Sequence, residues 1–219
     1  MEIVKSLSIA LMSEKVITEL LCPIAGAAGN YIKDSIEFKS LENTINKKIE
    51  LLEKTRKTLI SKGFDENLIN APNNFISLKS LAHLLDNYRY EDNEILKTMY
   101  SNLLANSIIS DRDIEINYLH TLSSMSSSDV LIFNKIYSDL PNFNECKHKK
   151  IITIDLPKKI KIVDEIETST DVLDFNVESI LANLHKLGCL NPIKSWGGGE
   201  SFEFINVTVF GYHLFKACN

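Results

Sequence analysis

Residues 96–110, LKTMYSNLLANSIIS, leave a chain few options. Leu96, Met99, Tyr100, Leu103, Leu104 and Ile108 recur at three- and four-residue steps, the period of an α-helix. Ile95 and Ile109 occupy a second side, so the predicted helix has no face made for water. A helix apolar on nearly all sides is buried between neighbours. Asn102 and Asn106 lie one turn apart inside that surround. A buried amide has to be hydrogen-bonded. The pattern therefore predicts that the two asparagines tie this helix to a loop or to the end of another helix.

Helical patterns flank it. Residues 2–22 read as an amphipathic helix that Pro23 breaks. Residues 35–62 form a longer one, with Leu41, Ile45, Ile49, Leu52 and Leu59 as its apolar stripe and Gly63 at its end. Glu50 with Lys54 and Glu53 with Lys57 are i,i+4 pairs on its wet side. The stripe is narrow, like a coiled-coil seam, so packing within the chain and homo-oligomerisation through residues 35–62 are both open to it. A helix follows at about 75–87, then the buried one, then two short helices within 114–140. In the second of these, Val130, Leu131, Phe133, Ile136, Tyr137 and Leu140 point to a core, and the serines of MSSSD can cap it.

The C-terminal third changes character. KHKKIITIDLPKKIKI, residues 147–162, mixes β-branched residues with six lysines and reads as a strand or an insertion, its basic cluster either a solvated face or a candidate contact for an acidic partner or RNA. Six acids and no base follow over residues 164–178. NVESILANLHKLGCL repeats its apolar residues at helical spacing until Gly188 stops it. A hairpin with a triple-glycine tip at 197–199 comes next, because a hairpin tip needs positive φ. Thr208 then looks like the N-cap of a last helix, 209–218. Helix, helix, helix, hairpin is the order of a winged helix. The expected fold is mainly α: N-terminal amphipathic helices over 1–63, a buried helical core over 64–113, and a winged-helix-like region over 114–219 with a β-hairpin.

Composition limits function. Residues 1–110 carry 13 basic and 14 acidic groups and the remainder 11 and 15, for a net charge of −5. Neither half is basic, so general affinity for nucleic acid is not favoured. The four cysteines, Cys22, Cys146, Cys189 and Cys218, are scattered without a CxxC pair. That suits reduced thiols in a cytoplasm and argues against structural zinc. No signal-peptide order stands near the start, and the charge-free run from Leu20 to Ile32 is too short for a bilayer span. Its small residues, Gly26 to Gly29, keep a weaker membrane-acting reading alive. The five histidines do not fall at ligand or triad spacing, and no Walker, GxSxG, HExxH or GxGxxG motif appears. The expectation is a protein without cofactor that is not an enzyme. On the third helix of the winged region, Asn183 and Lys186 are the candidate contacts. Lys194 and Trp196 on the hairpin arm, and Lys149 and Lys150 in the lysine run, complete the candidate interaction residues.

Four segments resemble the bacterial abortive infection alpha family in order. EILKTMYSNLLANSI resembles its ELREMYANLLASSM type of helix, and LSSMSSSDVLIF its leucine–serine–proline turn and helix. ILANLHKLGCL is similar to its LxxLxxLGLI segment, and VTVFGYHLFKAC to its closing LTxxGxxFxxxC. The resemblance covers residues 70–218, and Asn102, Leu103, Leu104, Ala105, Gly211, Phe215 and Cys218 take motif positions. Two departures stand out. Glu115-Ile116 lies near where the family has a His-Pro pair, and Ser127 stands where proline is usual. A role resting on that histidine does not carry over. The resemblance implies antiphage defence through a phage component or host target, with no catalytic residues to transfer. A winged-helix DNA-binding transcriptional regulator is the alternative reading from the order of elements.

Overall fold

A computed structural model describes residues 41–64, 76–146, 148–163, 173–194 and 200–219. The N-terminal helix expected over 2–22, the charge-free run at 20–32 with its small residues and the glycine tip lie outside these residues. The described chain is mainly helical with one small antiparallel sheet. It divides into two compact units, residues up to His120 together with Ala217–Asn219, and Thr121–Lys216.

In the first unit, α1 (Leu41–Ser61), α2 (Leu78–Arg89) and α3 (Glu94–Ser110) run up, down and up. Partners on α1 and α3 rise together along both helices. Lys47 reaches Glu91 and Asp92, Glu50 meets Lys97, Thr58 meets Asn102, and Lys62 meets Asn106. The two helices are thus parallel, which the intervening α2 makes possible. Leu51, Leu52, Thr55 and Leu59 form the buried face of α1. This differs from the expected seam: Ile49 is half-buried, and Leu51 and Thr55 take the central places. The α3 helix is buried almost all round, through Leu96, Met99, Tyr100, Leu103, Leu104, Ala105 and Ile108. Ile109 departs from expectation, being 41 % exposed at the last turn. Asn93 starts the helix by accepting from the Ile95 and Leu96 amides. Asp111 ends it in the left-handed region. Gly63, with φ +77°, closes α1 as the sequence predicts.

The boundary between the units falls inside α4 (Ile116–Ser123). The second unit holds α5 (Ser127–Ser138), a short α6 (Phe143–Cys146), β1 (Lys150–Ile152), β2 (Lys161–Val163), α7 (Phe175–Lys186), β3 (Leu190–Lys194), β4 (Glu200–Val207) and most of α8 (Val209–Cys218). The strand order is β2-β1-β4-β3, antiparallel throughout. The lysine run is therefore a strand pair, and it docks on the hairpin through Ile151 opposite Ile205. Pro192 sits on the edge strand β3, where a missing amide is tolerated. Phe133, Ile136, Leu181, Leu184, Ile151, Ile205 and Leu214 make the core of this unit. Leu131, expected among the core residues of α5, is instead 54 % exposed.

Candidate functional site

The family-like motif on α3 resolves into a clamp. The Asn102 amide donates to the Cys218 carbonyl at 3.0 Å, and the Asn106 amide donates to the Ala217 carbonyl at 2.9 Å. Each asparagine oxygen is held in turn from α1: the Thr58 hydroxyl donates to Asn102 at 3.1 Å and the Lys62 ammonium to Asn106 at 2.7 Å. Lys62 also reaches the Asn219 carbonyl at 3.0 Å. The last carbonyls of a helix lack intrahelical donors, and these side chains supply them. The expectation that the asparagines tie α3 to a helix end is met.

At the other end of α1 and α3 the side chains are ionic. Lys97, only 7 % exposed, bridges Glu50 at 3.0 Å and Glu94 at 2.8 Å. Lys54 meets Glu94 at 2.6 Å and Glu50 at 3.5 Å. Hydrogen bonds from Lys54 and Lys97 hold the Glu94 carboxyl down to about 2. Burial works against the Glu50 carboxylate, but the Lys97 hydrogen bond and the nearby lysine charges keep its pKa below the usual range. The Glu94 hydrogen bond and the Glu50 partner outweigh burial at Lys97 and raise its pKa. Burial, reinforced by Glu50, pushes the Tyr88 phenol up. This arrangement fastens two helices together.

In the second unit Tyr137 organises the polar contacts. Its hydroxyl donates to the Cys189 carbonyl and accepts from the Thr208 amide at 3.3 Å. Thr208 caps α8, accepting from the Gly211 amide at 2.9 Å while donating to the Gly188 carbonyl at 2.7 Å. A Cβ at Gly211 would overlap the Tyr137 hydroxyl and the Cys189 carbonyl, so this position requires glycine. Phe215 stacks on Tyr137, with ring centroids 5.8 Å apart. Burial pushes the Cys189 thiol up to about 12, which keeps it an unreactive thiol at neutral pH.

Asn183, read from sequence as a candidate contact, donates inward to Asp129 at 2.8 Å. Asp129 is itself buried and accepts from the Ser126 amide at 2.7 Å, completing a capping box at the start of α5. The outward face of α7 consists of Phe175, Glu178, Ser179, Ala182 and Lys186. Phe175 is 78 % exposed. Lys149 and Lys150 are half-buried at and just before β1, with His148, Lys158, Lys159 and Lys161 exposed along the same ribbon. Lys194 ends β3, and Trp196 falls outside the described residues. The fold thus collects Lys149 and Lys150 on one ribbon with Lys158, Lys159 and Lys161 of the same run. It gives Asn183 a task inside the unit.

The sequence matches the family model described as abortive infection alpha over residues 40–218. The chain belongs to the abortive infection alpha family. No curated protein and no solved structure matches it. The family's name associates its members with abortive infection. In this abortive infection alpha protein the motif residues Leu103, Leu104 and Ala105 are buried in α3, and Cys218 is buried at the end of α8. Among the described residues no helix is long and apolar enough to cross a membrane, and no three His, Cys, Asp or Glu side chains gather in a way that could hold a metal ion.

Proposed function

We propose that this abortive infection alpha protein defends against phage by binding a protein partner, a phage component or a host target, in the cytoplasm. The observation that supports binding is the use made of the polar groups at the family-motif positions and on α7. Asn102, its neighbour Asn106, and Asn183 each spend their amide on a structural hydrogen bond. What faces outward on α7 is a contact surface, with Phe175 at one end and Lys186 at the other. Exposed aromatics are enriched where proteins dock. A plaque assay in cells with and without the protein tests the reading. Plaquing is expected to fall with the wild type and to recover with Leu103→Asp, which places a charge in the α3 core and unfolds the unit. Phe175→Asp with Lys186→Glu is expected to leave the protein folded and to reduce protection. Unchanged plaquing across a diverse phage panel would overturn the defence reading.

A winged-helix DNA-binding regulator is the second reading, favoured by the β3–β4 hairpin that follows α7. The inward bond of Asn183 and the presence of Glu178 on the outward face leave Lys186 as the one basic contact there. A base-reading helix with so little phosphate-neutralising charge binds weakly. Loss of sequence-specific DNA binding on Lys186→Glu is the result this reading requires.

A further inference from the structure

The β1–β2 ribbon concentrates charge that the composition of the whole chain conceals. Residues 148–163 hold five lysines and one aspartate, a local net of +4 in a protein of net −5. The ladder pairs Lys150 with Val163 and Ile152 with Lys161. Paired residues of an antiparallel ladder share a face, so Lys150 and Lys161 point the same way, as diagonal neighbours about 7–8 Å apart. Lys158 and Lys159 project from the turn between the strands and are exposed. Lys159 pairs with Asp155 at 3.1 Å, but both groups are more than half exposed, and such a pair exchanges readily for another partner. Lys150 and Lys158 make no ion pair among the described residues.

The platform beneath the lysines is fixed. Ile151 is fully buried opposite Ile205, and Leu156 is buried in the turn. The Thr153 amide donates to the Glu203 carbonyl at 3.1 Å, and its hydroxyl donates to the Phe202 carbonyl. The large apolar side chains that stand exposed on the described surface are elsewhere: Ile60, Tyr90, Ile109, Leu131, Phe175 and Val209. Protein–protein docking draws its energy from desolvated apolar and aromatic anchors. A rigid ribbon that offers lysines without such an anchor suits a ligand bound by charge alone.

We propose that the β1–β2 ribbon binds the sugar–phosphate backbone of a nucleic acid, without reading its sequence. This goes beyond the protein-binding reading and uses a different surface. Lysine ammonium groups serve as point charges for phosphate. β2 is an edge strand of the four-stranded sheet, so its lysine and those of the turn can lie along the phosphates of a single strand or of a duplex.

The test uses the purified full chain and two fluorescent probes, a 20-nucleotide single-stranded RNA and a 20-base-pair DNA duplex, each in two unrelated sequences. At least one probe is expected to bind at 50 mM salt with equal affinity for both sequences. If about four phosphates are neutralised, raising salt to 200 mM weakens binding about 50-fold for the single strand or about 150-fold for the duplex. Lys158→Glu with Lys161→Glu is expected to weaken binding at least tenfold. The milder Lys158→Gln with Lys161→Gln, which carries no folding risk from charge reversal, should lower the salt slope by about 2. Lys57→Gln, which removes a lysine from the exposed side of α1, should leave binding unchanged. The proposal is overturned if neither probe binds at 50 mM salt, if ribbon variants bind as the wild type does, or if the ribbon captures a polyglutamate peptide and neither nucleic acid. Protection from phage without probe binding would sink this proposal and leave the defence reading standing. Probe binding without protection would do the reverse.

Discussion

The Asn102 side chain donates to the Cys218 carbonyl across 116 residues of chain. It joins the middle of a buried helix to the end of the last one, and Asn106 repeats the bond one turn on. Asn102→Ala removes this donor and the acceptor that Thr58 uses. The expected loss is about 1–3 kcal/mol in chemical denaturation, since two hydrogen bonds go and one carbonyl is left underpaired. Asn102→Asp should cost more at neutral pH, because it sets a negatively charged carboxylate oxygen against the Cys218 carbonyl oxygen. A variant Asn102→Asp as stable as wild type would show that the clamp does not hold in solution.

Gly211 and Gly63 make a matched comparison. Gly63 has φ +77° and open space around its Cα, so Gly63→Ala meets only the left-handed backbone penalty, about 1–2 kcal/mol. A methyl at Gly211 would collide with the Tyr137 hydroxyl and the Cys189 carbonyl. Gly211→Ala therefore forces the start of α8 away from Tyr137, and overpacking of this kind costs about 1–3 kcal/mol or more. Tyr137→Phe in the same background should recover part of the loss, because the hydroxyl is the nearest obstacle. Equal losses for the two alanines, with no recovery, would contradict the close approach.

Asp129 serves two partners, and the substitutions separate them. Ser126→Ala removes one half of the capping box and should cost about 1 kcal/mol. Asn183→Asp sets a second carboxylate 2.8 Å from Asp129, so this variant should be destabilised at neutral pH and recover as the solution is acidified. Denaturation midpoints at pH 7 and pH 4 check this; a recovery of the same size in the wild type would remove the argument.

How much of this the sequence disclosed follows from the range of each interaction. The α3 helix, the serine cap of α5, the Gly188 stop and the Thr208 cap are local patterns, and each stands where periodicity or capping chemistry puts it. The asparagines announced a tie through their burial, but its partner lay beyond residue 210, outside any local pattern. The stripe of α1 was legible as a helix and misread in detail, because both α2 and α3 pack on it and bury Leu51 and Thr55 as well as Leu52 and Leu59. Leu131 is an apolar residue of a predicted helix that remains exposed, which periodicity alone cannot distinguish from core. Asn183 looked free for a ligand because its partner Asp129 is 54 residues away. The ribbon was visible as lysines among β-branched residues, but its pairing, and hence which lysines share a face, is a register that only the ladder supplies.

The ionic cluster around Lys97 predicts how the first unit responds to pH. The Glu94 carboxyl lies at about 2 against an ordinary value of 4.5, and Glu50 is also lowered. A carboxylate depressed in the folded state contributes stability that is complete above 4.5 and is lost as pH falls towards its folded value. Lys97 is raised, so its contribution is complete below 10.5 and disappears only as pH rises through the higher folded value. The thermal midpoint should therefore be insensitive to these groups between about pH 5 and pH 10 and fall between pH 4.5 and pH 2. Lys97→Met removes the bridge and leaves Glu50 with Lys54 at 3.5 Å. Its midpoint should be lower than wild type at pH 7, and the difference should shrink on acidification as the carboxylates protonate in both proteins. Thermal scans at pH 7, 5, 3.5 and 2.5 decide it. Parallel curves for the two proteins would mean that Lys97 packs as an aliphatic chain and that its charge contributes nothing.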